Sequence, residues 1–281
     1  MIRTVLLPTD FSADSDLVLR FAAGLGALGV CRVVCGHVID VTGLEGPVIA
    51  AKVDSTRERM RSKIQPLVDA GLDVEVRMPT GDPERQLLAL AMETHVDAIV
   101  CGTSGKSVTD QLLVGSISER LARDARVPSL TVRFDVLRNA ADPGVVARNF
   151  GRMLLVPTDF SPTAARAIIV ALGLPPKAVR RVRVLNVLPV EPDDDKREKL
   201  EVGADAHLRS LVEMAKEKGL PATPVLGHGD ATRSILAEID ESRATGVIIG
   251  TRGRNPLQEA FMGSVSMALM RQASCPVMIV P

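Results

Sequence analysis

The stretch Ala98-Ile99-Val100-Cys101-Gly102-Thr103-Ser104-Gly105, with Gly115-Ser116 following after nine residues, returns later as Val247-Ile248-Ile249-Gly250-Thr251-Arg252-Gly253, again with nine residues before Gly263-Ser264. In each copy a short apolar run enters a Gly-x-x-Gly turn, and the second glycine pair leads into a helical pattern. A strand that ends in glycines and turns towards a helix start suits phosphate. Glycine lets the main chain approach closely, and the helix start offers unpaired N–H groups carrying partial positive charge.

Fixed offsets extend this repeat over almost the whole chain. Pro8-Thr9-Asp10-Phe11-Ser12 returns as Pro157-Thr158-Asp159-Phe160-Ser161, and Val38 as Val187, both at an offset of 149. Gly81-Asp82 returns as Gly229-Asp230, and Pro128 as Pro276, at 148 like the glycine motifs, so one residue is gained or lost between positions 38 and 81. The sequence therefore divides into tandem domains, 1–140 and 151–281, each of ordinary single-domain size. Solenoid repeats are far shorter. The seam, 134–151, contains the turn signal Asp142-Pro143-Gly144 and scattered apolar residues, and is expected to pack loosely or to carry a short helix.

Each half alternates strand and helix. In the first, strands are predicted at Thr4–Leu7, Arg32–Ile39, Asp73–Arg77, Asp97–Cys101 and Ser129–Val132. Between them, helices run from the Ser12 cap to about Leu28, over Ile49–Asp69, after Asp82-Pro83, and over Ser116–Asp124. The second half repeats this order, with strands at Met153–Val156, Val182–Val187, Ala222–Leu226, Gly246–Ile249 and Val277–Val280. Short apolar runs separated by helices predict an α/β fold with a parallel sheet covered on both faces. Right-handed crossovers then bring every strand's carboxyl end to one edge, where ligands of such sheets bind.

Composition narrows the function. Lys plus Arg equals Asp plus Glu at 34 each, which argues against a nucleic-acid surface. With no Trp or Tyr, a base-stacking platform for single strands is not expected. No apolar run is long enough to span a membrane, and Met1-Ile2-Arg3-Thr4 enters a strand instead of a signal peptide, so a cytoplasmic place is expected. Of the four cysteines, Cys31 and Cys35 would lie about 13 Å apart on one strand, too far for a disulfide. All four read as small buried thiols. His37, His95, His207 and His228 have no metal-ligand spacing, and only His37 falls near the strand ends.

Asp10 and Asp159 follow the first strand of their halves, and the Gly-x-x-Gly turns follow the fourth. If those strands are neighbours, the parts meet in one crevice that suits a nucleotide. A carboxylate can accept from ribose hydroxyls, the glycine-rich turn can hold one phosphate, and the helix start with its Ser hydroxyl another. Lys106, or Arg252 and Arg254, would add positive charge. Asp10 and Asp159 can also be read as helix caps, and the glycines as simple turns. A Walker A loop is excluded, because Gly102-Thr103-Ser104-Gly105-Lys106-Ser107 would need glycine where Val100 stands.

On these motifs the chain resembles a tandem universal stress protein of the ATP-binding branch. Gly-x-x-Gly, nine residues, Gly-Ser carries the resemblance, supported by Pro-Thr-Asp-Phe-Ser and by the closing Ser274-Cys275-Pro276-Val277-Met278-Ile279-Val280. The resemblance implies a five-stranded parallel sheet of order 3-2-1-4-5 in each half. It implies adenosine near Pro8, Thr9, Asp10 and Val38, and near Pro157, Thr158, Asp159 and Val187. It implies phosphates at Gly102, Gly105, Gly115, Ser116 and Ile117, and at Gly250, Arg252, Gly253, Gly263, Ser264 and Val265. It further implies ATP, ADP or AMP as ligand, with or without Mg2+, an internal pairing of the halves, a homodimer, and a regulatory protein partner. Two departures mark the first half. Val127-Pro128-Ser129 replaces Cys-Pro-Val, which would alter its last-strand pairing, and Ser104 stands where the second half has Arg252, which would weaken phosphate binding.

Three functions compete at this stage. The first is a stress-response regulator that binds an adenine nucleotide and hydrolyses it slowly at most, since no general base is apparent. The second is a slow ATPase or nucleotidyl-transferring enzyme in which Asp10 or Asp159 helps to hold magnesium. The third is a nucleotide-free interaction module.

Overall fold

The computed structural model describes residues 1–41, 43, 46–104, 117–251 and 262–281. Two compact units, Met1–Arg148 and Asn149–Pro281, divide the chain. The first runs β1 (Thr4–Pro8), α1 (Ala13–Ala23), β2 (Arg32–Gly36), α2 (Gly46–Lys63), α3 (Gln65–Asp69), β3 (Asp73–Arg77), α4 (Pro83–Glu93), β4 (Ala98–Thr103), α5 (Ile117–Asp124), β5 (Ser129–Arg133), α6 (Phe134–Arg138) and α7 (Pro143–Arg148). The second runs β6 (Leu154–Pro157), α8 (Pro162–Leu172), β7 (Val182–Leu188), α9 (Asp194–Glu217), β8 (Ala222–His228), α10 (Ala231–Ser242), β9 (Gly246–Gly250), α11 (Ser264–Gln272) and β10 (Val277–Val280).

In the first unit the described strands pair in parallel in the order β3-β2-β1-β4-β5, and in the second as β8-β7-β6-β9-β10. Both are the expected 3-2-1-4-5. The order reverses between strands one and four, so β1 and β4, and β6 and β9, flank the switch point. The short apolar strands, buried on both faces, explain the layers. Leu6, Val34 and Ile99 point from one sheet face into a cluster with Leu87 and Leu90 of α4 and Leu121 of α5, while Val18, Leu19 and Phe21 of α1 are buried within the same unit. The two last strands keep equivalent registers, Ile99 opposite Ser129 and Val247 opposite Val277. Ser129 therefore leaves the β4–β5 pairing intact, and its buried hydroxyl has no hydrogen-bond partner among the described residues.

Two expectations are corrected, and a third is decided between its alternatives. The first helix stops at Gly24 and continues as a 3-10 turn, Leu25–Leu28. A Cβ on Gly24 would lie 2.9 Å from the carbonyl carbon of Gly144, so the glycine is what lets α7 approach α1. The second helix is divided before α3, where Pro66 stands in the first turn and cannot donate a main-chain bond to the preceding helix. Of the two alternatives for the seam, loose packing or a short helix, the helix holds. The segment forms α6 and α7, and Leu137, Ala147 and Phe150 are all but fully buried.

Phe150 is fully buried, and Gly246 at the start of β9 makes room for its ring. Removing a core phenyl ring costs about 3–5 kcal/mol. Phe150→Ala is expected to lower stability by that amount, read as a shift of the denaturation midpoint of the second unit's transition. A shift of under about 1 kcal/mol, the size typical of an exposed position, contradicts this packing.

Candidate functional site

Each first strand ends in the same locked turn. The Thr9 hydroxyl accepts the Phe11 N–H at 3.2 Å, and Asp10 Oδ1 accepts the Ser12 N–H at 2.9 Å. In the second unit Thr158 and Asp159 do the same for Phe160 and Ser161, at 3.0 Å each. Between these paired bonds Phe11 and Phe160 sit in the left-handed region, with φ of 63° and 61°. That region costs a bulky residue about 1–3 kcal/mol and persists only where the surroundings enforce it. Ser12 and Ser161 then cap α1 and α8 by accepting from Ser15 and Ala164. The turn is therefore a rigid entry that holds the Asp carboxylate at the carboxyl edge of the sheet.

Neighbouring side chains fasten it. Phe11 packs on His37 at 4.4 Å between ring centroids, with the Arg59 guanidinium 4.7 Å over its ring. His37 Nδ1 lies 2.8 Å from the Thr9 carbonyl, which can only accept, so Nδ1 carries the proton. In the second unit Asn186 Nδ2 donates to the Thr158 carbonyl at 2.7 Å, and His207 packs on Phe160 at 5.0 Å. His207 thus belongs beside the second turn, contrary to the expectation for it. Asn186 is 4% exposed, and its Oδ1 has no hydrogen-bond partner among the described residues.

The fourth strands end beside these turns. The Ser118 hydroxyl donates to the Gly102 carbonyl at 2.5 Å, and the Ser266 hydroxyl to the Gly250 carbonyl at 2.7 Å, tying α5 to β4 and α11 to β9. The Gly263 N–H donates to Thr251 O at 2.7 Å, which sets the start of α11 over the end of β9. Within this unit α8, α9 and α10 are capped by the side chains of Ser161, Asp193 and Asp230. α11 instead begins on Gly263 with no side-chain cap.

In the first unit these parts enclose a cleft of about 190 Å³. Pro8, Thr9, Asp10, Val38, Gly102 and Ile117 all line it, so six residues singled out in the sequence converge from four separate segments. Val18, Leu87 and Leu121 add apolar surface, and Ser12, Ser15 and Ser118 polar surface. Gly105, Lys106, Gly115 and Ser116 lie outside the described residues, as do Arg252, Gly253 and Arg254. In the second unit Pro157 ends β6, Val187 lies in β7, Gly250 ends β9, and Gly263, Ser264 and Val265 form the start of α11. Sequence reading passed over Ser118 and Ser266, although both sit at the offset of 148, and Asn186, which matches His37 at 149. Phe134, also in the cleft wall, lies past the end of the repeat and had no such signal.

Electrostatics sharpen the roles. Burial opposes the charge on Asp10, but hydrogen bonds from the Ser12 hydroxyl, the Ser12 N–H and Ser15 outweigh it, so its carboxyl lies below the ordinary 3.8. Asp10 is therefore an ionised acceptor at neutral pH. Cys35, Cys101 and Cys275 are pushed up to about 12, in each case chiefly by burial, and stay protonated. Cys31 is exposed, correcting the expectation that all four thiols are buried. Among the described residues no cluster of His, Cys, Asp and Glu could hold a metal ion, and no helix is long and apolar enough to cross a membrane.

With this geometry established, comparison places the chain among known proteins. The universal stress protein family model matches residues 1–133 and again 152–281. The chain belongs to the universal stress protein family, as a tandem of two such domains. A universal stress protein of Methanocaldococcus jannaschii is 25% identical over 155 residues, covering 47% of this chain and 96% of that one. A crystal structure of a universal stress protein from Archaeoglobus fulgidus is 25% identical with a TM-score of 0.77, covering 99% of this chain and 95% of that one. One from Pseudomonas aeruginosa shares the fold at 15% identity, with a TM-score of 0.66 and coverage of 99% and 93%.

Two outcomes follow from the bonds described. Ser266 is 3% exposed, so Ser266→Ala strands the Gly250 carbonyl and should cost about 1–3 kcal/mol in denaturant unfolding. The depressed Asp10 carboxyl stabilises the fold above its unfolded pKa, and that contribution is lost as pH falls below 3.8 through the folded value. Melting temperatures of the wild type should therefore drop more steeply below pH 3.8 than those of Asp10→Asn, and parallel curves contradict the assignment.

Proposed function

We propose that this protein is an adenine-nucleotide-binding stress-response regulator, acting through binding and release with slow hydrolysis at most. The observation that carries this reading is the contrast at α11. Three helices of the second unit start from side-chain caps, and the one that starts over the end of β9 starts on a glycine without one. Among the described residues no side chain caps its first N–H groups, and a helix N-terminus of this kind favours an anion.

The residues present fit a nucleotide. The cleft of the first unit offers apolar walls from Val18, Val38, Leu87 and Leu121 for a base. It offers an ionised carboxylate, Asp10, for sugar hydroxyls. Its volume of about 190 Å³ is below the 300–1,000 Å³ typical of whole-ligand pockets, so it suits a base and sugar whose phosphates lie outside it. In the second unit Asn186 Oδ1 is a buried acceptor with no donor among the described residues, beside the Thr158 turn. Pro8, Thr9, Asp10 and Val38, and Pro157, Thr158, Asp159 and Val187, would hold the nucleoside. Gly102, Gly105, Gly115, Ser116 and Ile117, and Gly250, Arg252, Gly253, Gly263, Ser264 and Val265, would hold the phosphates. The nucleotide brings the negative charge, with or without Mg2+, that orders these main-chain donors. In this reading occupancy is sensed in the cytoplasm by a regulatory protein or by a second copy of the chain in a homodimer.

Calorimetric titration with ATP, together with mass spectrometry of small molecules released from the purified protein, tests this. The wild type should take up two equivalents. Gly263→Val, which adds a branched side chain at the helix start, should take up one. Unchanged stoichiometry would falsify the assignment of the phosphate site, and a wild type with neither bound nucleotide nor uptake defeats the function.

A further inference from the structure

The two units treat the glycine that ends strand four differently. A Cβ placed on Gly250 would lie 2.7 Å from the carbonyl carbon and 2.8 Å from Oγ1 of Thr163, and 2.9 Å from the Ala164 N. The first turn of α8 therefore rests directly on β9. A Cβ on Gly102 would instead run into the Phe134 ring, at 2.7 Å from Cζ and 2.8 Å from Cδ1. The residue of α1 that corresponds to Thr163 at the offset of 149 is Asp14. It pairs with Arg138 of α6, whose guanidinium also lies 5.9 Å from the Phe134 ring centre. Where α8 touches its strand, then, the first unit has an aromatic side chain.

Phe134 is held in that place. It opens α6, whose Leu137 is 1% exposed, and the Arg133 and Asp135 side chains beside it form an ion pair. It also lines the cleft together with Gly102, Asp10 and Ser15. The family match of the first domain ends at residue 133, so this ring comes from the segment after the shared domain.

We propose that Phe134 is a specificity-determining wedge in the first unit. It holds the start of α1 off β4 and supplies the apolar wall of the cleft, so that the two nucleotide sites differ in affinity. The inference rests on the nucleotide reading above. Without the ring, α1 has space to settle on Gly102 as α8 does on Gly250, and the cleft loses both width and apolar contact.

The test uses the full-length Gly263→Val protein, in which ATP uptake reports the first unit alone. Adding Phe134→Ala should weaken ATP binding by roughly tenfold, the scale of losing one aromatic wall. Phe134→Leu should retain most of the affinity. Gly102→Ala, which forces the ring to move, should weaken binding when Phe134 is present and have much less effect beside Phe134→Ala. That dependence on background ties the loss of affinity to the contact between the ring and Gly102. Phe134 is half-buried, so the alanine variant is expected to fold, and circular dichroism melting checks this. If it does not fold, the Leu and Gly102→Ala variants decide the matter. Unchanged affinity in Phe134→Ala, or equal losses from Gly102→Ala in both backgrounds, overturns the wedge and leaves the nucleotide reading standing. Absence of ATP uptake by the wild type overturns both.

Discussion

The Thr and Asp side chains that close on the main chain two residues ahead of them are the interaction on which each unit's site depends. Thr9 and Asp10, like Thr158 and Asp159, supply acceptors to the N–H groups of the turn. These bonds hold Phe11 and Phe160 in a conformation that an unconstrained phenylalanine avoids. The chain can then leave the first strand, place a carboxylate at the sheet edge and begin a capped helix within four residues of the strand end. The strain is the cost of that sharp reversal. The same bonds hold the Asp10 carboxyl in its ionised form.

Around this turn the sheet order does the assembling. Placing strand four beside strand one brings together residues that are distant in sequence, because parallel crossovers leave all carboxyl ends on one edge. Ser118 and Ser266 complete the arrangement by joining the helix after each glycine-rich segment to the strand before it. Each unit thus ties the turn after its first strand and the end of its fourth strand to helix starts, and in the first unit a cleft lies between them.

Duplication has not kept the units identical. His37 and Asn186 perform one task, fastening a threonine carbonyl, with different side chains. Arg59 and His207 both cover the strained phenylalanine from the second long helix of their units, one as a guanidinium and one as an imidazole. At the glycine ending strand four the substitution is larger, an aromatic ring in one unit and a helix start in the other. Such changes preserve the frame and alter the chemistry that a ligand meets.

The repeat offsets, the apolar runs and the caps at Ser12, Asp82 and Ser161 determined the fold without coordinates, because strand period, helix start and crossover length are local properties written in residue order. The meeting of Asp10 and Gly102 in one cleft was legible once strands one and four were neighbours, while Pro8, Thr9, Val38 and Ile117 followed from the family resemblance. Helix breaks at Gly24 and before Pro66 were harder to read, since tertiary approach of α7 and a single missing N–H decide them. Left-handed Phe11 and Phe160 were not read from residue type, because phenylalanine itself disfavours that conformation and the flanking Thr and Asp bonds impose it. Only the tertiary structure decided that the seam folds back on α1 and places Phe134 on Gly102, for that contact joins residues 32 positions apart and leaves no periodic trace in the sequence.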